Sequence, residues 1–317
     1  MKKNLFSALL IAMVSIVLAA CGSSSETSSK AASSGSSEEE ITIKHELGEA
    51  VVKKNPKKVV VFDFGALDTL DKLGVDVAGV AKSSTLPEYL SKYESDQYEN
   101  VGSLKEPDFE KIYSMEPDLI LISGRQSSAY EELNDIAPTV FIGVDHTNYM
   151  ESFKNNVKTL AKIFDKEELA EKELTKIDKK IDALNEKVSS SDKKGLITLT
   201  TGGKVSAYGP GSRFGIIHDV FGVKAADRDI EASNHGMSIT FEYIAKTNPD
   251  YLFVIDRDKV VSGEGNASKV FDNELVNKTK AAQNDKIIYL DPAVWYLSGG
   301  GLTSVSEMVK EVEEGIN

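Results

Sequence analysis

Three arginines stand where a bound anion could be held. Arg125 and Arg257 each close a copy of one repeated stretch, and Arg213 lies in the turn sequence GPGSRFG just ahead of a helical pattern. A guanidinium is planar, always charged and donates through a fixed fork, which suits carboxylate, phosphate or catecholate oxygens. Any one of the three could equally form a surface or interlobe salt bridge. Together, in an acidic chain, they favour an anion site. The remaining arginine, Arg228, sits in the polar loop ADRDIE without such a context.

His235 and Tyr296 are the other residues with chemistry to offer, both in Gly-flanked loops. Histidine serves as metal ligand or hydrogen-bond partner near neutral pH, and a tyrosine phenolate is a hard ligand suited to ferric iron. A plainer reading stands beside each: a loop histidine bonded to backbone, and a Trp295–Tyr296 pair packed at a lobe edge. His218, mid-helix in GIIHDVFG, reads as structural, and His45 and His146 have no supporting context.

Motifs for catalysis are thin. GPGSRFG is one residue out of step with a dinucleotide fingerprint, and no Lys-Ser/Thr follows to make a phosphate loop. There is no GxSxG elbow and no HExxH or clustered histidine for zinc. The expectation is a binding protein, not an enzyme, with no intrinsic cofactor.

The arginines must be positioned by the elements around them. Phe109 to Arg125 reads FEKIYSMEPDLILISGR and Phe241 to Arg257 reads FEYIAKTNPDYLFVIDR, 132 residues later. Each begins Phe-Glu-x-Ile and carries Pro-Asp before an apolar run. Proline cannot continue a helix and biases its predecessor out of the α region. The runs LILIS and LFVI suit parallel strands covered on both faces. The pattern is short helix, break, buried strand, guanidinium, in two similar α/β lobes. In open α/β sheets the ligand crevice lies beyond the carboxyl ends of the strands, which puts Arg125 and Arg257 there.

The rest of the chain fits around this pair. Residues 1–20 form a secretory signal pattern: Lys2 and Lys3, then an apolar stretch to Ala20. Leu18-Ala19-Ala20-Cys21 resembles a bacterial lipobox, which would make Cys21, the single cysteine, a lipidation site holding the protein on the membrane surface. Residues 21–40 are Ser-rich and polar and read as a tether. An N-terminal lobe is expected over 41–147, opening with a hairpin. Over 148–190 a charged, Gly- and Pro-free amphipathic pattern predicts a long, stiff helical connection, and 191–317 forms the second lobe. The formal charge of −13, or −15 once Lys2 and Lys3 leave with the signal, argues against a nucleic-acid partner.

Taken together, the stretches NPKKVVVFDFGALDTLDKLG, VGSLKEPDFEKI, SRFGIIHDVFGV, NPDYLFVIDR and WYLSGGG resemble the class III substrate-binding proteins of iron-siderophore and cobalamin importers, and within them the Gram-positive petrobactin-binding lipoproteins. The resemblance covers the chain after the tether. It implies two Rossmann-like lobes joined by one long rigid helix, with the ligand between them. It also implies a ferric catecholate ligand held by Arg125, Arg213 and Arg257, with haem or cobalamin as the alternative. Trp295 is counted with the ligand-binding residues. His235 and Tyr296 match residues that complete the iron shell when the siderophore leaves sites open. Glu110 and Glu242 match the glutamates that dock on the permease of an ABC importer, whose permease and ATPase subunits are the implied partners. From the residues alone, these two glutamates are ordinary first-turn helix charges.

Overall fold

The computed structural model describes residues 39–317. The signal segment, Cys21 and all but the last two residues of the expected tether lie outside the described residues.

The chain opens with an antiparallel hairpin, β1 (Glu40–His45) and β2 (Gly48–Lys53). The first lobe follows as β3 (Val59–Val61), α1 (Phe64–Lys72), β4 (Gly79–Val80), β5 (Glu99–Asn100), α2 (Phe109–Met115), β6 (Leu119–Ile122), α3 (Tyr130–Ile136) and β7 (Thr139–Phe141). Its five strands run in the order β5-β4-β3-β6-β7, all parallel. VVV of β3 and LILI of β6 are wholly buried, as apolar runs covered on both faces should be. α1 starts on the Asp63 carboxylate, which accepts the Ala66 N–H at 2.8 Å, and is followed by Gly74 in the left-handed region at φ +69°. Gly65, by its type a breaker between strand and helix, instead lies inside α1.

The connecting segment holds two helices. α4 spans Tyr149–Ile163, and α5, the long one, spans the 23 residues Glu167–Ser189. Between them Asp165 takes a left-handed conformation at φ +52°, and its carboxylate accepts hydrogen bonds of 2.5 Å from Lys54 Nζ and Asn55 Nδ2.

The second lobe contains β8 (Lys194–Thr201), β9 (Lys204–Tyr208), α6 (Ile216–Asp219), β10 (Lys224–Ala225), β11 (Met237–Ile239), α7 (Phe241–Thr247), β12 (Tyr251–Asp256) and α8 (Arg257–Val261). Three short helices, α9 (Ala267–Phe271), α10 (Glu274–Asn277) and α11 (Lys280–Gln283), lead to β13 (Ile287–Leu290) and the final helix α12 (Leu302–Ile316). The sheet order is β11-β9-β8-β12-β13, with β10 beside the start of β8. β9 is the reversed strand, antiparallel to both β8 and β11.

The sequence repeat is a structural one, and Pro-Asp explains it. α2 and α7 both end on a left-handed residue, Glu116 at φ +49° and Asn248 at φ +47°. After the proline, Asp118 accepts the Lys57 and Lys58 N–H groups at 2.9 and 2.8 Å, and Asp250 accepts the Lys194 N–H at 2.9 Å. Each aspartate therefore pins the start of the neighbouring strand, β3 or β8, and fixes the register on which the arginine sixteen residues past the phenylalanine depends.

One apolar layer runs across both lobes. Leu73 after α1, Phe153 and Val157 of α4, Leu174, Ile177 and Leu184 of α5, and Val305, Val309 and Val312 of α12 share a buried cluster with Ile197 and Phe253 of the second sheet. Protein interiors of this kind transmit displacement and resist shear, so the lobes are braced over a broad face.

Candidate functional site

One cleft is bounded by the loops after β6 and β7 in the first lobe and by the loops after β9, before β11 and after β13 in the second. Its cavity, about 440 Å³, is lined by Arg125 and Lys105 of the first lobe, Arg213, His235 and Tyr296 of the second, and His146 from the turn after β7, among others. Arg125 is three residues beyond β6, and Arg213 follows the Gly209–Gly211 turn after β9.

All three arginines converge on Tyr296. Arg125 Nη2 and Arg213 Nη2 donate to its carbonyl oxygen at 2.7 and 2.8 Å, and Arg257 Nε donates to its phenolic oxygen at 2.9 Å. The guanidinium carbons of Arg125, Arg213 and Arg257 lie 5.8, 4.2 and 5.6 Å from the ring centroid, within cation–π range. The placement of the carbonyl follows from a π-helical turn at Ala293–Leu297. Such a turn leaves carbonyls outside the regular helical ladder, and it recurs at functional sites.

Among the described residues, the salt-bridge reading does not hold for Arg125 or Arg213. Among the described residues, the ion pair any of them makes is Arg257 with Asp258 at 3.8 Å, inside the same lobe. The cavity's one lining carboxylate, Asp63, is engaged as the cap of α1. Among the described residues, the half-buried guanidiniums of Arg125 and Arg213 thus bring positive charge to the cleft without a carboxylate partner. The field acts on the groups in it. Burial and the neighbouring Arg125 lower the Arg213 pKa. Burial pushes the Tyr296 phenol up, but the Arg257 hydrogen bond and the charges of Arg213, Arg257 and Arg125 outweigh it, leaving the phenol below the usual tyrosine range.

Arg257 differs from the other two. It does not line the cavity; Nε is engaged by Tyr296 and Nη1 donates to Thr201 Oγ1 at 3.2 Å. It stands behind the tyrosine and holds it. Trp295 lines the cavity yet is 3% exposed, and its Nε1–H is given to Glu311 at 3.0 Å, so its donor is already engaged. His235 is exposed at the cavity edge, with its backbone carbonyl accepting from Tyr208 Oη at 3.0 Å. His218 is structural, with Nδ1 2.7 Å from the Val223 carbonyl.

The residues bracing this loop were silent in the sequence. Asp68 of α1 is fully buried, and its carboxylate accepts the Thr303 and Ser304 N–H groups at 2.9 and 2.7 Å. A first-lobe side chain thus caps the N-terminus of α12. Tyr89 Oη donates to Ser298 Oγ at 2.8 Å from the same side. The Ser-Gly-Gly-Gly motif makes the approach feasible: a Cβ on Gly301 would stand 2.2 Å from Asp68 Oδ2, and Gly300 has φ +108°. His146 and Lys105 are cavity residues that also went unseen; the cleft position of His146 overturns the expectation that it had no context.

Glu110 and Glu242 are exposed in the first turns of α2 and α7.

Two α/β lobes braced by helices, with a cationic cleft at the strand ends, define a two-lobed solute-binding protein. The family described as periplasmic binding protein matches residues 59–294, and this chain belongs to it. It is 53% identical to the petrobactin-binding protein YclQ of Bacillus subtilis over 100% of this chain and 99% of the relative. The crystal structure of that protein aligns with a TM-score of 0.86 at 54% identity, covering 88% of this chain and 99% of the other. The ferric-anguibactin-binding protein FatB of Vibrio anguillarum is 35% identical, with 87% of each chain covered. The periplasmic catecholate-siderophore-binding protein VctP of Vibrio cholerae aligns with a TM-score of 0.81 at 36% identity, over 87% and 100% of the two chains.

Proposed function

We propose that this protein captures a ferric catecholate siderophore of the petrobactin type in the interlobe cleft and delivers it to the permease of an ABC importer. The observation that carries the reading is the convergence of Arg125, Arg213 and Arg257 on Tyr296, with no carboxylate among the described residues nearer than Asp258 at 3.8 Å from Arg257. The names of the relatives, which bind petrobactin, anguibactin and catecholate siderophores, support it.

The energetics are adequate. A ferric bis-catecholate citrate-type complex carries roughly three negative charges, matching three guanidiniums. At an effective dielectric of about 20, one contact at about 4 Å is worth about 4 kcal/mol before desolvation, while nanomolar affinity needs about 12 kcal/mol net. Arg125 and Arg213 meet the anion directly. Arg257 acts through Tyr296, whose acidified phenol, with His235, can complete the iron coordination where the siderophore supplies too few donors. The braced helical layer favours a small closure on binding.

Glu110 and Glu242 dock the loaded protein on the permease. Cys21 carries a lipid that holds the chain on the outer side of the cell membrane; among the described residues, no helix is long and apolar enough to cross a membrane. Titration with a panel of ferric catecholates, hydroxamates and haem tests the reading. Tight binding confined to ferric catecholates is expected, and preferential binding of hydroxamates or haem overturns it.

A further inference from the structure

His146 has no role in the arrangement so far, yet its surroundings are those of a ligand contact. It lines the cavity that holds Arg125, Arg213 and Tyr296, and also an adjoining cavity of about 600 Å³ with Arg213 and Asn234. Its Nδ1 is buried with no hydrogen-bond partner, and Nε2 has none among the described residues either. Buried polar groups are almost always paired. Nδ1 is enclosed and unpartnered, whereas Nε2, also without a hydrogen bond among the described residues, is not enclosed and is the nitrogen that an oxygen of a ligand in the cavity can reach.

We propose that His146 is a further ligand contact, a first-lobe imidazole that donates a hydrogen bond to an anionic oxygen of the bound ferric complex. The inference rests on the siderophore reading above. Burial and the Arg213 charge hold the His146 imidazole down at about 4, with Asp145 opposing and Arg125 acting the same way as Arg213. The other titratable groups lining the two cavities are Glu46 in the β1–β2 turn, and Asp63, Lys105, His235 and Tyr296 around the first cavity, with Tyr149 at 6.5 Å between ring centroids. An anion seated on Arg125 and Arg213 cancels their repulsion and adds an attraction. The ring then becomes the better donor as imidazolium, so binding takes up a proton from solvent at mildly acidic pH. Sequence could not reveal this: His146 sits 67 residues from Arg213 in an unremarkable turn.

The test is calorimetric titration of the whole protein with ferric petrobactin near pH 5.5, in buffers of different ionisation enthalpy, for the parent, His146→Gln and His146→Ala, with melting curves as a folding check. The parent is expected to take up close to one proton more than either variant, about 0.9 for a histidine moving from about 4 to its ordinary value. Both variants should bind roughly tenfold more weakly. Equal affinity and equal proton uptake in a folded variant overturn the proposal for His146 while leaving the siderophore reading intact. No binding by the parent overturns both.

Discussion

The Arg213 guanidinium lies 4.2 Å from the centre of the Tyr296 ring and donates at 2.8 Å to the carbonyl of the same residue. One tyrosine therefore fixes the cation by its backbone and stacks on it with its ring, so the charge is oriented before any ligand arrives. Preorganisation of this kind lowers the ordering cost of binding.

Arg213→Lys should consequently be no conservative change, because an ammonium cannot both fork and stack. We expect it to weaken ferric catecholate binding by about 2–4 kcal/mol, the cost of truncating a desolvated charge contact. Equilibrium fluorescence titration measures this, and wild-type affinity in the lysine variant would contradict the stacked geometry.

Arg257 and Tyr296 should behave as a unit. Because Arg257 reaches the cleft through the phenol, the double variant Arg257→Gln/Tyr296→Phe should lose little more affinity than Tyr296→Phe alone. The coupling energy of the cycle would be about 1 kcal/mol or more. Additive losses would mean that Arg257 contacts the ligand independently.

Asp68 gives a pH prediction. Burial raises its carboxyl to about 6 against the pull of the Ser304 and Thr303 hydrogen bonds, whereas the unfolded value is near 3.9. The native state then binds more protons than the unfolded state between those values. This group's contribution to stability therefore falls as pH rises from about 4 to about 6. Asp68→Asn should flatten that slope in melting temperature against pH, while losing one of its two caps on α12, about 1 kcal/mol. An unchanged slope would refute the assignment. His146, held low, contributes the opposite slope and is unaffected by this substitution, so the difference between parent and variant isolates Asp68.

Glu110→Ala and Glu242→Ala, singly and together, should leave ligand affinity within about twofold, since both side chains are exposed and away from the cavity lining. Iron uptake by cells expressing the double variant should fall sharply. Normal uptake would remove the docking role.

Much of the site could be read from sequence where chemistry coincided with repetition. The Phe-Glu-x-Ile and Pro-Asp blocks announced two equivalent strands, and Arg125 and Arg257 came with them. What stayed hidden depends on partners far away in the chain. Asp68 reads as an ordinary polar position in ALDTLDKLG, because the helix N-terminus it caps lies 235 residues later. The α4–α5 break carries no glycine or proline; a left-handed Asp165 tied to Lys54 and Asn55 produces it. Trp295, counted with the ligand-binding residues, gives its N–H to Glu311, a partner sixteen residues on that nothing in the local sequence marks.

The central claim, that guanidiniums gathered at Tyr296 hold a ferric catecholate, is tested most directly through Trp295, the single tryptophan and part of the cavity wall. Ferric petrobactin should quench its fluorescence saturably in the parent protein, and the Arg125→Ala/Arg213→Ala/Arg257→Ala variant, still folded, should show no saturable quenching at the same concentrations. Unchanged affinity in that triple variant would contradict the account.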